Sequence, residues 1–220
     1  MNISWVGHSC FKIEGKSEGD TITIVTDPYT KESGLHLPKL KADILTVSHY
    51  HDDHSNIEAV SGVDERGVFI VDRPGEYEVK GAFVIGIGAY HDRKEGKDNG
   101  KSTIFRIELE GLSIVHLGDL GTDLSDRQLS KIGDVDILLI PVGGKDTLGA
   151  KDAAEAIRQI EPRIVIPMHY KVAGLKADIA PLDGFVREMG GKVEKMPKLK
   201  IMKKDLGVEE LKVIVLEQGV

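Results

Sequence analysis

Residues 48–55 read SHYHDDHS, which sets His49, His51, Asp53 and His54 within six positions, directly after the run ILTV at 44–47. A short apolar and β-branched run bounded by polar residues reads as a buried strand. The chain therefore delivers three imidazoles and a carboxylate at a strand end. Packing does not explain that density, because histidine and aspartate are seldom fully buried and lose several kcal/mol when desolvated without partners. His-x-His alone fits a solvated surface loop. The full H-x-H-x-D-H pattern is far more specific, since one turn then offers nitrogen and oxygen donors suited to Zn, Mn, Fe or Ni. Ser55 followed three residues later by Glu58 has the form of a capping box, and predicts a helix beginning just after His54.

Upstream, NISWVG (2–7), CFKIEG (10–15) and TITIVTDP (21–28) read as strands of an antiparallel meander, the last two joined by the polar turn KSEGD. Downstream, strands are predicted at Val68–Val71, across Tyr77–Tyr90, at Thr103–Glu110 and at Leu112–Leu117, with a tight hairpin at Glu110-Gly111. The pattern then changes. DRQLSKIG (126–133), AKDAAEAIRQI (150–160) and PLDGFVREMG (181–190) read as helices, and alternate with the buried strands VDILLIPV (135–142) and RIVIPMH (163–169). Closing strands are expected near Lys192–Met196, Lys200–Lys203 and Leu211–Leu216. Strands first and strand–helix alternation later indicate an α/β protein whose sheets are covered by helices.

Composition narrows the function classes. The chain has 220 residues, 40% apolar and 30% charged, enough for a real core, and the absence of any linker or low-complexity tract predicts a single domain over 1–220. Lys+Arg 29 against Asp+Glu 36 gives a net charge of −7, the wrong sign for a general phosphate-backbone binder, so nucleic acid is disfavoured. The single cysteine, Cys10, forms no internal bridge and fits a reducing compartment. No apolar run approaches the roughly 18 residues of a membrane span, and MNISWVGHSC lacks the features of a signal peptide. A cytoplasmic protein with no membrane partner is expected.

Beyond the His cluster, Asp27 in VTDP, His91 in AYHD, Asp119 in HLGDLG and His169 in IPMHY complete a pattern that resembles the metallo-β-lactamase-fold superfamily of metal-dependent hydrolases. WVGHSCF, PGEYEVKG and IPVGG look like the small single-domain branch similar to the ascorbate-phosphate lactonase group. The resemblance implies a four-layer αββα sandwich with two divalent metal ions, zinc first and Mn, Fe or Ni as alternatives, in a cleft at one edge of the sheets. It implies that His49, His51 and His91 hold one ion, that Asp53, His54 and His169 hold the other, and that Asp119 bridges them, easing the repulsion of closely spaced cations. Asp27 is implied to lie behind the ligands, fixing a histidine tautomer; a turn residue before Pro28 is its plainer reading.

His116 competes with His91 for the first ion. If 113–119 is extended, His116 shares a face with Ile114 and Gly118 while Asp119 points the other way, whereas His91 enters the long polar loop HDRKEGKDNGK, where a side chain can turn into a cleft. His91 is therefore favoured, and His116 becomes a core or supporting histidine. His8 reads either as a satisfied strand histidine or as a catalytic group that orients substrate or donates a proton, and Asp53 or water could equally serve the leaving group. Glu76 and Glu78, Gly143 and Gly144, Tyr170, and the lysines 145, 171 and 176 are lesser candidates, each explained as well by its local structure. The expected function is attack by metal-bound hydroxide on a small ester, lactone or phosphodiester, with an anionic small molecule favoured as substrate. The alternative is a non-hydrolytic di-iron redox or metal-binding protein. Oligomeric state is left open.

Overall fold

The computed structural model describes residues 1–207 and 211–219. Its strands are β1 (Asn2–Gly7), β2 (Cys10–Ser17), β3 (Asp20–Thr26), β4 (Leu40–Ala42), β5 (Ile44–Thr46), β6 (Val60–Gly62), β7 (Phe69–Val71), β8 (Gly75–Val79), β9 (Ala82–Tyr90), β10 (Lys101–Leu109), β11 (Leu112–His116), β12 (Ile137–Pro141), β13 (Ile164–Met168), β14 (Glu194–Met196), β15 (Leu199–Lys200) and β16 (Lys212–Leu216). The helices are α1 (Asp126–Ile132), α2 (Ala150–Ile160) and α3 (Asp183–Glu188). One sheet has the order β15-β1-β2-β3-β5-β7 and the other β14-β16-β13-β12-β11-β10-β9-β8.

The first sheet shows why its residues alternate. Ile22, Ile24 and Ile44 join the core between the sheets, while their neighbours Val25, Leu45 and Val47 belong to a second cluster on the other face, with Tyr29, Leu40 and Val60. That outer cluster is covered by the β4–β6 ribbon and short 3-10 turns. In the second sheet β11, β12 and β13 are consecutive parallel neighbours, joined through α1 and α2. Right-handed crossovers in one direction put both helices on the same face, away from the first sheet. Their buried Ile132, Ala153, Ala156, Ile157 and Ile160 pack there. The result is the layered α/β sandwich of the metallo-β-lactamase fold.

Three predicted elements differ. No α-helix follows His54; only a 3-10 turn spans Ile57–Ala59. Ser55 Oγ donates to the His51 carbonyl (2.8 Å) instead of capping, and Val60 already pairs with Leu40, so three residues are too few for a helix. The Tyr77–Tyr90 stretch is two strands turned at Lys80-Gly81, both in the left-handed region, φ 52° and 75°. The strand expected at Lys200–Lys203 is only Leu199–Lys200, followed by a 3-10 turn at Lys203–Asp205. Among the described residues no helix is long and apolar enough to cross a membrane.

Candidate metal centre

The candidate residues all follow the C-terminal ends of strands: His8 after β1, Asp27 after β3, His49–His54 after β5, His91 after β9, Asp119 after β11 and His169 after β13. That end is where α/β sheets present ligand sites. Two backbone bonds join the sheets here. His169 N–H donates to the His8 carbonyl (3.1 Å), and Thr103 N–H to the Ser48 carbonyl (2.9 Å). His8, Asp27 and His169 turn their corners with φ of 52°, 37° and 51°, a region non-glycine residues seldom enter.

Besides Asp27 with His49 and His54, two groups of donors result. His49, His51 and His91 form one, and His8, Asp53, His54 and His169 the other, with one ligand atom per residue lying within 4.8 Å of the rest in each. Asp119 stands between them. Its Oδ2 is 3.2 Å from Nε2 of His54, His91 and His169, and 4.0 Å from Nε2 of His49. Asp53 Oδ2 lies 3.9 Å from His54 Nε2 and 3.3 Å from His8 Nε2.

Behind this shell a buried network orients the rings. Asp27 Oδ2 accepts from His54 Nδ1 (3.0 Å) and from the Ser48 hydroxyl (2.5 Å), and its Oδ1 accepts from Ser48 N–H (2.8 Å). Ser48 Oγ is also 2.9 Å from His49 Nδ1. His91 Nδ1 donates to the Asp146 carbonyl at 3.3 Å. Sequence reading missed Ser48 and Asp146. Ser48 adjoins the motif, which is a signal of sorts; a backbone carbonyl 55 residues from His91 leaves none.

His116 is buried outside both groups, with each ring nitrogen bonded to backbone. Nε2 donates to the Ser9 carbonyl (2.9 Å), and Nδ1 accepts Gly118 N–H (3.1 Å). Gly118 makes this approach possible, with φ 54° and space for no side chain: a Cβ there would lie 2.7 Å from that of Ser48.

Burial shapes the titration of the metal-free cluster. Desolvation lowers His49 to about 3 and His8 to about 4, aided by neighbouring histidines, and it also lowers His116. Burial acts on His54 in the same sense, but the Asp119 and Asp27 carboxylates outweigh it and hold His54 well above the usual imidazole range. Asp119 and Asp27 stay low although burial opposes their ionisation, Asp119 through His169 and His54, Asp27 through the His54 hydrogen bond. The centre thus keeps two buried carboxylates ionised.

A cleft of about 160 Å³ opens beside the cluster, lined by His51, Asp53, Asn99, Lys145, Thr147 and Ile179 among others. One wall is the 92–100 loop, organised by Asp92, whose carboxylate accepts from the N–H groups of Lys94, Asp98 and Asn99. Of the lesser candidates, Gly144 and Lys145 reach the cleft. Lys171 Nζ is bonded to the Leu175 and Ala177 carbonyls, and Tyr170 is buried against Trp5 with ring centroids 5.1 Å apart. Glu78 closes the β8–β9 turn by accepting Gly81 N–H. A Cβ on Gly143 would collide with the His169 carbonyl, so this glycine serves close packing.

The donor set fits divalent cations. Nε2 of His49, Nε2 of His54 and Oδ1 of Asp119 are buried without a hydrogen-bond partner, which native structures seldom tolerate, and imidazole nitrogens with carboxylate oxygens are first-row transition-metal donors.

The facing sheets with a histidine and aspartate cluster at their common edge agree with what known proteins show by comparison, that this is a metal-dependent hydrolase of the metallo-β-lactamase superfamily. Residues 2–169 match the family model described as a beta-lactamase superfamily domain, and the chain belongs to that family. A UPF0173 metal-dependent hydrolase of Pyrococcus abyssi is 30% identical over 195 residues, which cover 77% of this chain and 84% of that one. A metallo-beta-lactamase superfamily crystal structure from Thermotoga maritima is 36% identical, covers 98% of this chain and 97% of its own, and superposes with a TM-score of 0.78. The diiron β-hydroxylase CmlA of Streptomyces venezuelae, 17% identical with a TM-score of 0.58 over 86% of this chain and 51% of its own, shares the fold alone.

Proposed function

We propose that this metal-dependent hydrolase uses two divalent cations, zinc first among them, to cleave a small anionic ester, lactone or phosphodiester. The observation that carries the reading is the position of Asp119, whose Oδ2 lies 3.2 Å from histidine nitrogens belonging to both donor groups. His49, His51 and His91 would hold one cation; Asp53, His54 and His169 the other; Asp119 both. His8 falls within ligand reach of the second group as well. The cations would supply Lewis acidity and a nucleophilic water at neutral pH.

The chain does the rest. Asp27, directly at His54 and through Ser48 at His49, engages the Nδ1 atoms and so turns Nε2 of both rings toward the cluster. Asp53 is 35% exposed at the cleft whereas His8 is fully buried behind it, so Asp53 Oδ2 is the atom able to meet a leaving group, and His8 Nε2 holds it in place. Lys145 and Asn99 line the cleft wall, where an ammonium and an amide can bind an anionic substrate. The cleft's small volume favours a compact molecule. The free, buried Cys10 fits a reducing cytoplasm.

The test is metal analysis of protein purified without added metal, with an activity screen over lactones and phosphodiesters. About two zinc ions per chain and turnover of one class are expected, with metal and turnover lost together in Asp119→Asn. Full activity in metal-free Asp119→Asn defeats the reading, and iron with visible absorption and no hydrolysis favours redox chemistry instead.

A further inference from the structure

One carboxylate orients histidines of both donor groups, and it reaches the first, at His49, through a side chain outside the motif. Asp27 is completely buried, with Ser48 N–H on its Oδ1 (2.8 Å) and both the Ser48 hydroxyl and His54 Nδ1 on its Oδ2, the arrangement of a carboxylate that only accepts. The single proton of the Ser48 hydroxyl must then be the one in the 2.5 Å contact with Asp27 Oδ2. With that proton committed, Ser48 Oγ has only lone pairs left for His49 Nδ1 at 2.9 Å, so the hydrogen between them belongs to the imidazole. His54 Nδ1 donates to the same Asp27 oxygen directly, at 3.0 Å.

We propose that Ser48 is a positioning residue which relays Asp27 to His49, fixing the Nδ1–H tautomer and leaving Nε2 free to bind a cation in the first donor group. The relay makes the two groups share one orienting anion, directly at His54 and through a hydroxyl at His49. It also accounts for the close fit of Gly118 over Ser48, which holds that side chain in place. Its part in cation binding rests on the metal reading above; the tautomer does not.

Nitrogen-15 NMR of the imidazoles in metal-free protein tests the relay. Wild type should show His49 protonated at Nδ1. In Ser48→Ala the proton should shift substantially to Nε2 while the His54 signals stay unchanged. Retention of Nδ1–H at His49 in Ser48→Ala overturns the proposal. Zinc titration against a competing chelator gives a second readout: Ser48→Ala should bind one equivalent about 10- to 100-fold more weakly, and Ser48→Thr, which keeps the hydroxyl, should recover most of that loss. Equal affinity in Ser48→Ala and wild type, or equal loss in both variants, overturns it too. If wild type binds no metal, the metal reading fails while the tautomer result stands.

Discussion

Nε2 of His91 stands 3.2 Å from Oδ2 of Asp119, although 28 residues separate them and His116 is much nearer in sequence. His91 uses Nδ1 on the Asp146 carbonyl and keeps Nε2 for the cluster, while both nitrogens of His116 are bonded to Ser9 and Gly118. The two histidines should therefore fail differently. On the two-cation proposal, His91→Ala should lose one cation and at least about 100-fold in kcat/KM, since removing a direct donor should cost no less than removing a supporting residue. His116→Ala should keep its metals and lose about 2–4 kcal/mol of stability, from a cavity and two unsatisfied backbone groups. Metal analysis and urea unfolding of both variants decide it, and metal loss confined to His116→Ala would invert the assignment.

Asp92 should control the cleft wall without touching the metals. Three backbone N–H groups of the 92–100 loop converge on its carboxylate, and Asn99, held by one of them, lines the cleft. Asp92→Ala should speed amide exchange at Asp98 and Asn99 and raise KM severalfold, with metal content intact. Unchanged exchange at those two amides would show that the loop is held by other contacts.

The metal-free protein should weaken sharply below neutral pH. His8, His49 and His116 have folded pKa values below the ordinary 6.5, the first two at about 4 and about 3. Between those values and 6.5 the unfolded chain binds protons the folded chain refuses, so stability rises with pH and is lost on acidification. His8 and His49 each contribute about 2 kcal/mol between pH 6.5 and 5, at roughly 1.4 kcal/mol per pH unit, and His116 adds in the same direction. His54 does not oppose this: its raised folded pKa gives stability fully present below 6.5 and lost only as pH rises. Asp27 and Asp119 act only near and below the ordinary aspartate value of 3.8. Urea midpoints of metal-free protein at pH 7 and pH 5 measure the effect; equal midpoints would show that these rings are solvated.

Much of this was legible from residue order where the physics is local. Helix α2 spans the predicted Ala150–Ile160 because small and apolar residues recur there at helical spacing, and buried strands such as Ile137–Pro141 stand out as unbroken apolar runs. The capping signal at Ser55 failed because the hydroxyl found a carbonyl one turn back. The face-counting used to separate His91 from His116 assumed an extended chain to Asp119, but β11 ends at His116 and Gly118 turns with φ 54°. What separates the two rings is how many nitrogens the backbone already occupies, a tertiary fact. Asp119 and His169 were reached through family resemblance, since nothing local joins them to a motif some seventy to one hundred and twenty residues upstream. The Ser48 relay was invisible because a serine beside a histidine is commonplace until a buried carboxylate is placed behind it.

The left-handed corners at His8, Asp27 and His169 narrow what evolution can try at this edge. Such a corner costs of order 1 kcal/mol or more for most side chains, and glycine, asparagine, aspartate and histidine enter it most readily. Substitution at these three positions must keep a left-handed chain path as well as the donor atom, a double demand that Asn99 and Thr147 on the cleft wall do not face. Descendants of this scaffold can diversify their choice of molecule at the walls long before the chemistry at the corners can change hands.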